Sequence, residues 1–273
     1  MSEEKLFSFH EHSDLESEKI TAPRYSYWQS VFRVFFRKKT NIVILSVLAV
    51  LVVFAYAYPA LTEYDKYGEM LNPDVKHLSP SKAIDYYGFH LKYILGTGAA
   101  GQSTFDAIWN GSRISISLAF ICGAINMTVG VLVGAIWGFS KKVDVVMMEI
   151  YNIIGNVPAI LFTAVMVMLF TATFWTMVLA LTITGWLFIA AFIRTQVVII
   201  RDREYNLASR CLGTSTVKIA IKNFLPFMTS VIVTLLATEI PSYISSEVFL
   251  AYIGLGMREM SLCRLIFEAE SAM

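Results

Sequence analysis

Residues 114–138 run for 25 positions without a charged side chain. A helix needs about 20 predominantly apolar residues to cross the hydrocarbon core of a bilayer, where each backbone polar group must be satisfied inside the helix itself. Such a run predicts a transmembrane helix, and four more accompany it. Residues 42–61 and 174–193 are uncharged; residues 145–171 carry one acid, Glu149, near their start; residues 227–246 carry only Glu239. Tyr56, Tyr58 and Pro59 close the first run with the aromatic edge favoured at a membrane interface. That run is read as a span and not as a cleavable signal. It begins about 40 residues in, exceeds the usual 7–15-residue apolar stretch, and is followed by no small-x-small site. The expected fold is an all-α, multi-pass transmembrane bundle of five spans.

Composition supports lipid as the main solvent. Apolar residues make up 56% of the 273 positions and charged residues 16%, with a mean hydropathy of +0.59. Charges this sparse cannot cover a soluble surface around so much apolar material. The 22 Lys+Arg against 21 Asp+Glu leave no basic field for nucleic acid. Cys122, Cys211 and Cys263 lie far apart and form neither a disulfide framework nor a metal-like spacing.

Basic residues orient the spans. Arg37-Lys38-Lys39 precedes the first run, Lys141 and Lys142 lie between the second and third, and Arg194, Arg201, Arg203, Arg210, Lys218 and Lys222 lie between the fourth and fifth. All three clusters fall on one side, which the positive-inside rule makes cytoplasmic. Residues 1–40 are then a cytoplasmic arm whose basic aromatic end, Arg33 included, lies at the headgroups. Residues 41–61 form the first span, residues 62–111 an extracytoplasmic segment with six acids and four lysines, and residues 112–273 a membrane core. Residues 248–256 are apolar but short, and read as a partly embedded outer loop.

The cytoplasmic stretch 194–224 is long and patterned like a helix. Residues 204–212 are good helix formers, Gly213 suits a left-handed cap, and Thr214, Ser215 or Thr216 can start a second helix bearing Val217, Ile219, Ala220, Ile221 and Phe224. Pro226 marks re-entry into the bilayer. From the residues alone, an interfacial amphipathic elbow and a docking knob for another protein are equally good readings.

Arg201-Asp202-Arg203-Glu204-Tyr205-Asn206-Leu207-Ala208-Ser209-Arg210-Cys211-Leu212-Gly213, with Leu225-Pro226 downstream, resembles the coupling loop of ABC importer permeases, in the dipeptide/oligopeptide/nickel version. Leu95-Gly96-Thr97 through Arg113, Asn156-Val157-Pro158-Ala159-Ile160-Leu161, and Glu247 through Leu255-Gly256 are similar to further stretches of that subfamily, and the basic arm with the first span resembles its C-type oligopeptide subunit. The resemblance implies one half of a peptide-conducting channel in the plasma or inner membrane. Its partners would be a homologous permease, two cytoplasmic ATP-binding subunits and an extracellular peptide-binding protein. Arg201, Arg203, Glu204, Ala208, Ser209, Arg210, Gly213, Leu225 and Pro226 would form the ATPase-coupling loop, where small Ala208 and Ser209 allow close approach and the arginines pair with acids on the partner. Several positions depart from the pattern. Ser209 stands in place of an alanine, residues 98–103 lack the usual acidic residues, and Cys263 replaces a glycine. The family's sixth span would follow, so the resemblance implies a shortened copy, active or not. A permease for nickel or another small solute is the alternative within the family.

Gly96 to Ser103 nearly matches a phosphate-binding loop, but Gln102 replaces the required lysine and no strand pattern precedes it, so ATP is expected on separate subunits and no cofactor on this chain. Asn110-Gly111-Ser112 matches a glycosylation sequon without further support. Glu239 and Glu247, eight residues apart, are candidates for lining the pathway or for bracing loops. Gly130, Gly134 and Gly138 suggest close helix packing. His10, His12, His77 and His90 make no catalytic or metal set with carboxylates. A secondary transporter would need ion-coupling residues or repeats, and a membrane enzyme a paired-carboxylate or Ser/His site; none is legible, so no enzymatic activity is expected.

Overall fold

The computed structural model of the chain describes residues 27–65, 68, 72–219 and 224–271, without the side chains of residues 27, 210, 216, 217, 225–227 and 271. The arm before residue 27, with His10 and His12, lies outside the described residues, as does Lys222. In chain order the helices are α1 (Tyr27–Arg37), α2 (Lys39–Leu61), α3 (Pro80–Tyr87), α4 (Thr104–Phe139), α5 (Lys141–Gly155), α6 (Ala159–Leu169), α7 (Phe174–Arg201), α8 (Glu204–Cys211), α9 (Thr216–Ile219), α10 (Leu225–Tyr252) and α11 (Leu262–Ser271). Among the described residues there is no strand, only an isolated bridge between Thr97 and Ser103.

Two compact units divide the chain at Val52/Val53. In the first, α1 meets α2 at a one-residue break, Lys38, and the Asn41 side-chain amide donates to the Phe35 carbonyl at 3.2 Å. The second is organised around α4 and α7. Lipid tails are as apolar as leucine, so packing within a membrane rests on close van der Waals fit. Glycines supply that fit. A Cβ at Gly130 would meet Ile189 Cγ2 at 2.6 Å, at Gly134 the Ala190 carbonyl at 2.5 Å, and at Gly138 the Val197 Cβ at 2.5 Å. Both numbers climb together, so the helices run parallel, with backbones closer than any side chain would permit. α10 returns antiparallel: Phe224 and Met228 share a buried cluster with Ile193, Val197 and Ile200, while Tyr243 joins Leu118, Cys122 and Met177.

The parallel pair requires a return crossing, and here the third expected span differs. Residues 145–171 do not form one helix; α5 and α6 are bent by 72° across Asn156-Val157-Pro158. Pro158 lacks the N–H of a continuing helix and disfavours helical geometry at Val157. Four helices, α2, α4, α7 and α10, are individually long and apolar enough to cross a membrane, and a fifth crossing exists only if the bent pair counts as one.

The tail also differs from expectation. α10 runs on to Tyr252, Gly254 turns the chain at φ +81°, and residues 262–271 form a helix, α11, packed on α4 and α10. Gly111 makes this possible, because a Cβ there would lie 2.7 Å from the Leu262 nitrogen. At the same end Ser103 caps α4 by accepting from the Asp106 amide at 3.1 Å, and the Tyr58 hydroxyl donates to Asp106 at 2.5 Å.

Candidate coupling site

α7 ends about two turns beyond the apolar run that predicted it, at Arg201, and its end is capped by side chains. The Asn206 amide, 1% exposed, donates to the Ile200 carbonyl at 2.9 Å, beside the Arg203 N–H that donates to the same carbonyl at 3.1 Å. One of the carbonyls a helix leaves at its C-terminus is thus held from both the backbone and a side chain. Arg201 folds back: Nη1 donates to the Gly138 carbonyl at 2.9 Å, while Nε and Nη2 each lie 3.1 Å from the Asp202 carboxylate. Since Gly138 is at the end of α4, this guanidinium ties the ends of both central helices to the start of the loop.

From that base α8 projects. Gly213 closes it at φ +78°, and the Thr214 amide donates to the Ser209 carbonyl at 3.0 Å, the six-to-one bond of a glycine-terminated helix. Open space surrounds Gly213, so the backbone turn alone asks for glycine. Arg203, Glu204 and Ala208 are exposed, whereas Ser209 is half-buried and its hydroxyl donates to the Tyr205 carbonyl at 2.8 Å. The side chains of Arg210, Leu225 and Pro226 lie outside the described residues; along the backbone, Pro226 sits in the first turn of α10, where its missing N–H costs nothing. Arg201 is thus turned inward as a brace, not outward as a contact.

Large apolar groups of the knob are exposed: Leu212 is 86% exposed, Tyr205 49% and Leu207 45%. The sequence pattern leaves open whether such a segment is an interfacial elbow or a docking knob. It also gives no sign of a second brace beside the loop. Arg194 on α7 grips Asp144 on α5 through two bonds of 2.9 and 2.7 Å, and the Trp137 indole on α4 donates to the same carboxylate at 2.7 Å. Three helices are fixed together there, the end of α4, the start of α5 and the last third of α7, by residues up to 57 positions apart in sequence.

The two acids on α10 separate. Glu239 is half-buried, with Tyr243 one turn along; the Tyr243 hydroxyl accepts from Asn126 at 2.8 Å. Glu247 does not line an open path: it is 0% exposed, enclosed near Ser115, Ser261 and Cys263 because Gly111 lets residues 261–263 close over it. The loop resembling a phosphate cradle folds on itself. Gln102, 3% exposed, accepts from the Ala100 amide at 2.8 Å, and Gly98 N–H bonds to the Gln102 carbonyl. Among the described residues no three His, Cys, Asp or Glu side chains gather into a metal site.

Comparison with known proteins agrees with this layout. Residues 130–262, from the first packing glycine to the start of α11, match the family described as binding-protein-dependent transport system inner membrane component. Residues 26–80 match the N-terminal transmembrane domain of oligopeptide transport permease C. The oligopeptide transport system permease protein AmiD of Streptococcus pneumoniae is 41% identical over 270 residues, covering 97% of this chain and 85% of that protein. This chain belongs to the binding-protein-dependent inner-membrane permeases. OppC of Bacillus subtilis is 32% identical over 245 residues, 89% of this chain and 76% of its own length. DppC of the same organism, a dipeptide transport system permease protein, is 29% identical over 256 residues, 93% and 77%. As a permease of this family the chain is a multi-pass membrane component, and the α8 knob falls inside the segment that the family match covers.

Proposed function

We propose that this permease forms half of the channel of an ATP-driven peptide importer, with its N-terminus cytoplasmic and with ATP bound and hydrolysed on separate cytoplasmic subunits that seat on α8. Peptide reaches it from an extracellular binding protein and passes along the seam with a homologous permease. The names of AmiD, OppC and DppC support a peptide substrate. Lys141 and Lys142 lie at the same end of the bundle as Arg201, through the α4–α7 contact at Gly138, which supports one basic, cytoplasmic face.

One observation carries the coupling role: an exposed apolar tip, Tyr205, Leu207 and Leu212, on a helix whose base is hydrogen-bonded to the ends of α4 and α7. A partner can bias a channel only through contacts that differ between its states, and a rigid base passes those contacts on to the spans. The test is co-purification of the full-length permease with the ATP-binding subunits of its own transport system. Leu212→Asp puts a charge into the centre of the contact and weakens capture about 30-fold, the loss of a 2 kcal/mol hot spot, with far-UV circular dichroism unchanged. Equal capture by the variant would refute the docking assignment.

A further inference from the structure

Helix α1 takes no part in the coupling geometry, yet its pattern is the clearest amphipathic one in the chain. Gln29, Arg33 and Arg37 recur every fourth residue along one side, and Trp28, Phe32 and Phe36 along another. The three rings form a ladder with centroids 6.0 and 6.2 Å apart. Trp28, Val31, Phe32, Val34, Phe35 and Phe36 are all exposed, an apolar face too large to be left to water. Residues 27–39 carry four cations, Arg33, Arg37, Lys38 and Lys39, and no acid.

Two features say what covers this face. Lys38 alone separates α1 from α2, the first membrane-crossing helix, so α1 cannot leave the headgroup layer of the leaflet where α2 begins. The elbow between them also holds a groove of about 460 Å³, lined by Ser30, Val31, Val34, Phe35, Lys38 and Asn41. Its wall is apolar, and one cation with two hydrogen-bonding side chains stands at its rim. A protein partner would have to displace phospholipid that already occupies that layer.

We propose that α1 and the elbow form a site for anionic phospholipid. The helix lies in the membrane plane with its aromatic ladder among the upper acyl carbons. One lipid lays its chain against Val31, Val34 and Phe35, its phosphate reaching Lys38, Ser30 and Asn41, while Arg33, Arg37 and Lys39 hold the surrounding headgroups.

The full-length chain in nanodiscs tests this. Cys211 is the exposed cysteine and Cys122 and Cys263 are buried, so Cys211→Ser allows single spin labels at Phe35→Cys and Gln29→Cys. The label at position 35, which lies between the aromatic ladder and the groove, is expected to collide with oxygen and be shielded from a water-soluble nickel chelate, with the reverse at position 29. Shielding of both labels from both reagents, the signature of protein cover, overturns the proposal, as does nickel access to both. Lipid selectivity is read separately, by titrating the detergent-purified chain with phosphatidylglycerol or phosphatidylcholine under native mass spectrometry. Phosphatidylglycerol should bind tighter, and Arg33→Gln with Lys38→Gln should weaken it about 25-fold, about fivefold per cation removed, leaving phosphatidylcholine unchanged. Equal binding of the two lipids, or unchanged phosphatidylglycerol binding by the variant, overturns the headgroup assignment.

Discussion

The three cysteines show how one residue type takes different properties from its surroundings. Cys211 ends α8 at the exposed knob, whereas Cys263 sits at the first turn of α11 against Glu247 and Ser115. Burial, and then the nearby Glu247 carboxyl, push the Cys263 thiol up to about 12. The thiolate is the nucleophile, so a raised pKa means a smaller reactive fraction at any pH below it. Brief maleimide treatment of the folded protein at pH 7.5 should therefore modify Cys211 and leave Cys263 and Cys122 untouched, all three becoming reactive in denaturant. Peptide mass spectrometry reads the outcome. Modification of Cys263 in the folded protein would mean that α11 does not close over Glu247 as described.

At the scale of helices, α4 and α7 depend on three glycines, and the surrounding space ranks them against a fourth. A Cβ on Gly134 would stand 2.5 Å from the Ala190 carbonyl, a backbone atom that cannot step aside; on Gly123 the nearest atom, Ile240 Cγ1, is 3.6 Å away. Gly134→Ala should cost about 1–3 kcal/mol by overpacking. Gly123→Ala should be neutral or add up to about 1 kcal/mol, because alanine is the better helix former. Thermal unfolding in detergent distinguishes them, and equal midpoints would dissolve the parallel contact. This seam was readable in advance, since a small residue every fourth position has few uses other than close approach. The bend in the third span was not, although Pro158 was in view: apolarity counts side chains, while a helix breaks on a missing N–H. The Asp144–Arg194–Trp137 brace was hidden for another reason. Each of its members looks like an ordinary helix-end polar residue until folding brings together positions 137, 144 and 194. Glu247 could be marked as an unusual intramembrane acid, but its enclosure depends on Gly111 and on residues 261–263, which pattern alone does not connect to it.

Across the whole molecule, the proposed function assigns docking and transmission to different residues, so the two can be separated. In the proposed docking the exposed apolar tip of α8 makes the contact; Arg201 and Asn206, hydrogen-bonded to the ends of α4 and α7, join α8 to the spans. Arg201→Gln removes the guanidinium that reaches the Gly138 carbonyl, and Asn206→Ala removes the side-chain bond to the Ile200 carbonyl, which keeps its bond from the Arg203 amide, a loss of about 0.5–1.5 kcal/mol. Neither change touches Leu212, so both variants should still capture the ATP-binding subunits. What they should lose is the link between closure of those subunits and movement of α4 and α7, because a handle loose at its base absorbs displacement that a fixed one passes on. In proteoliposomes holding the complete transporter, peptide taken up per ATP hydrolysed should fall about tenfold in either variant, with ATP hydrolysis continuing. Full coupling in both would show that the base of the knob transmits nothing, and loss of capture would show that docking and transmission are one function after all.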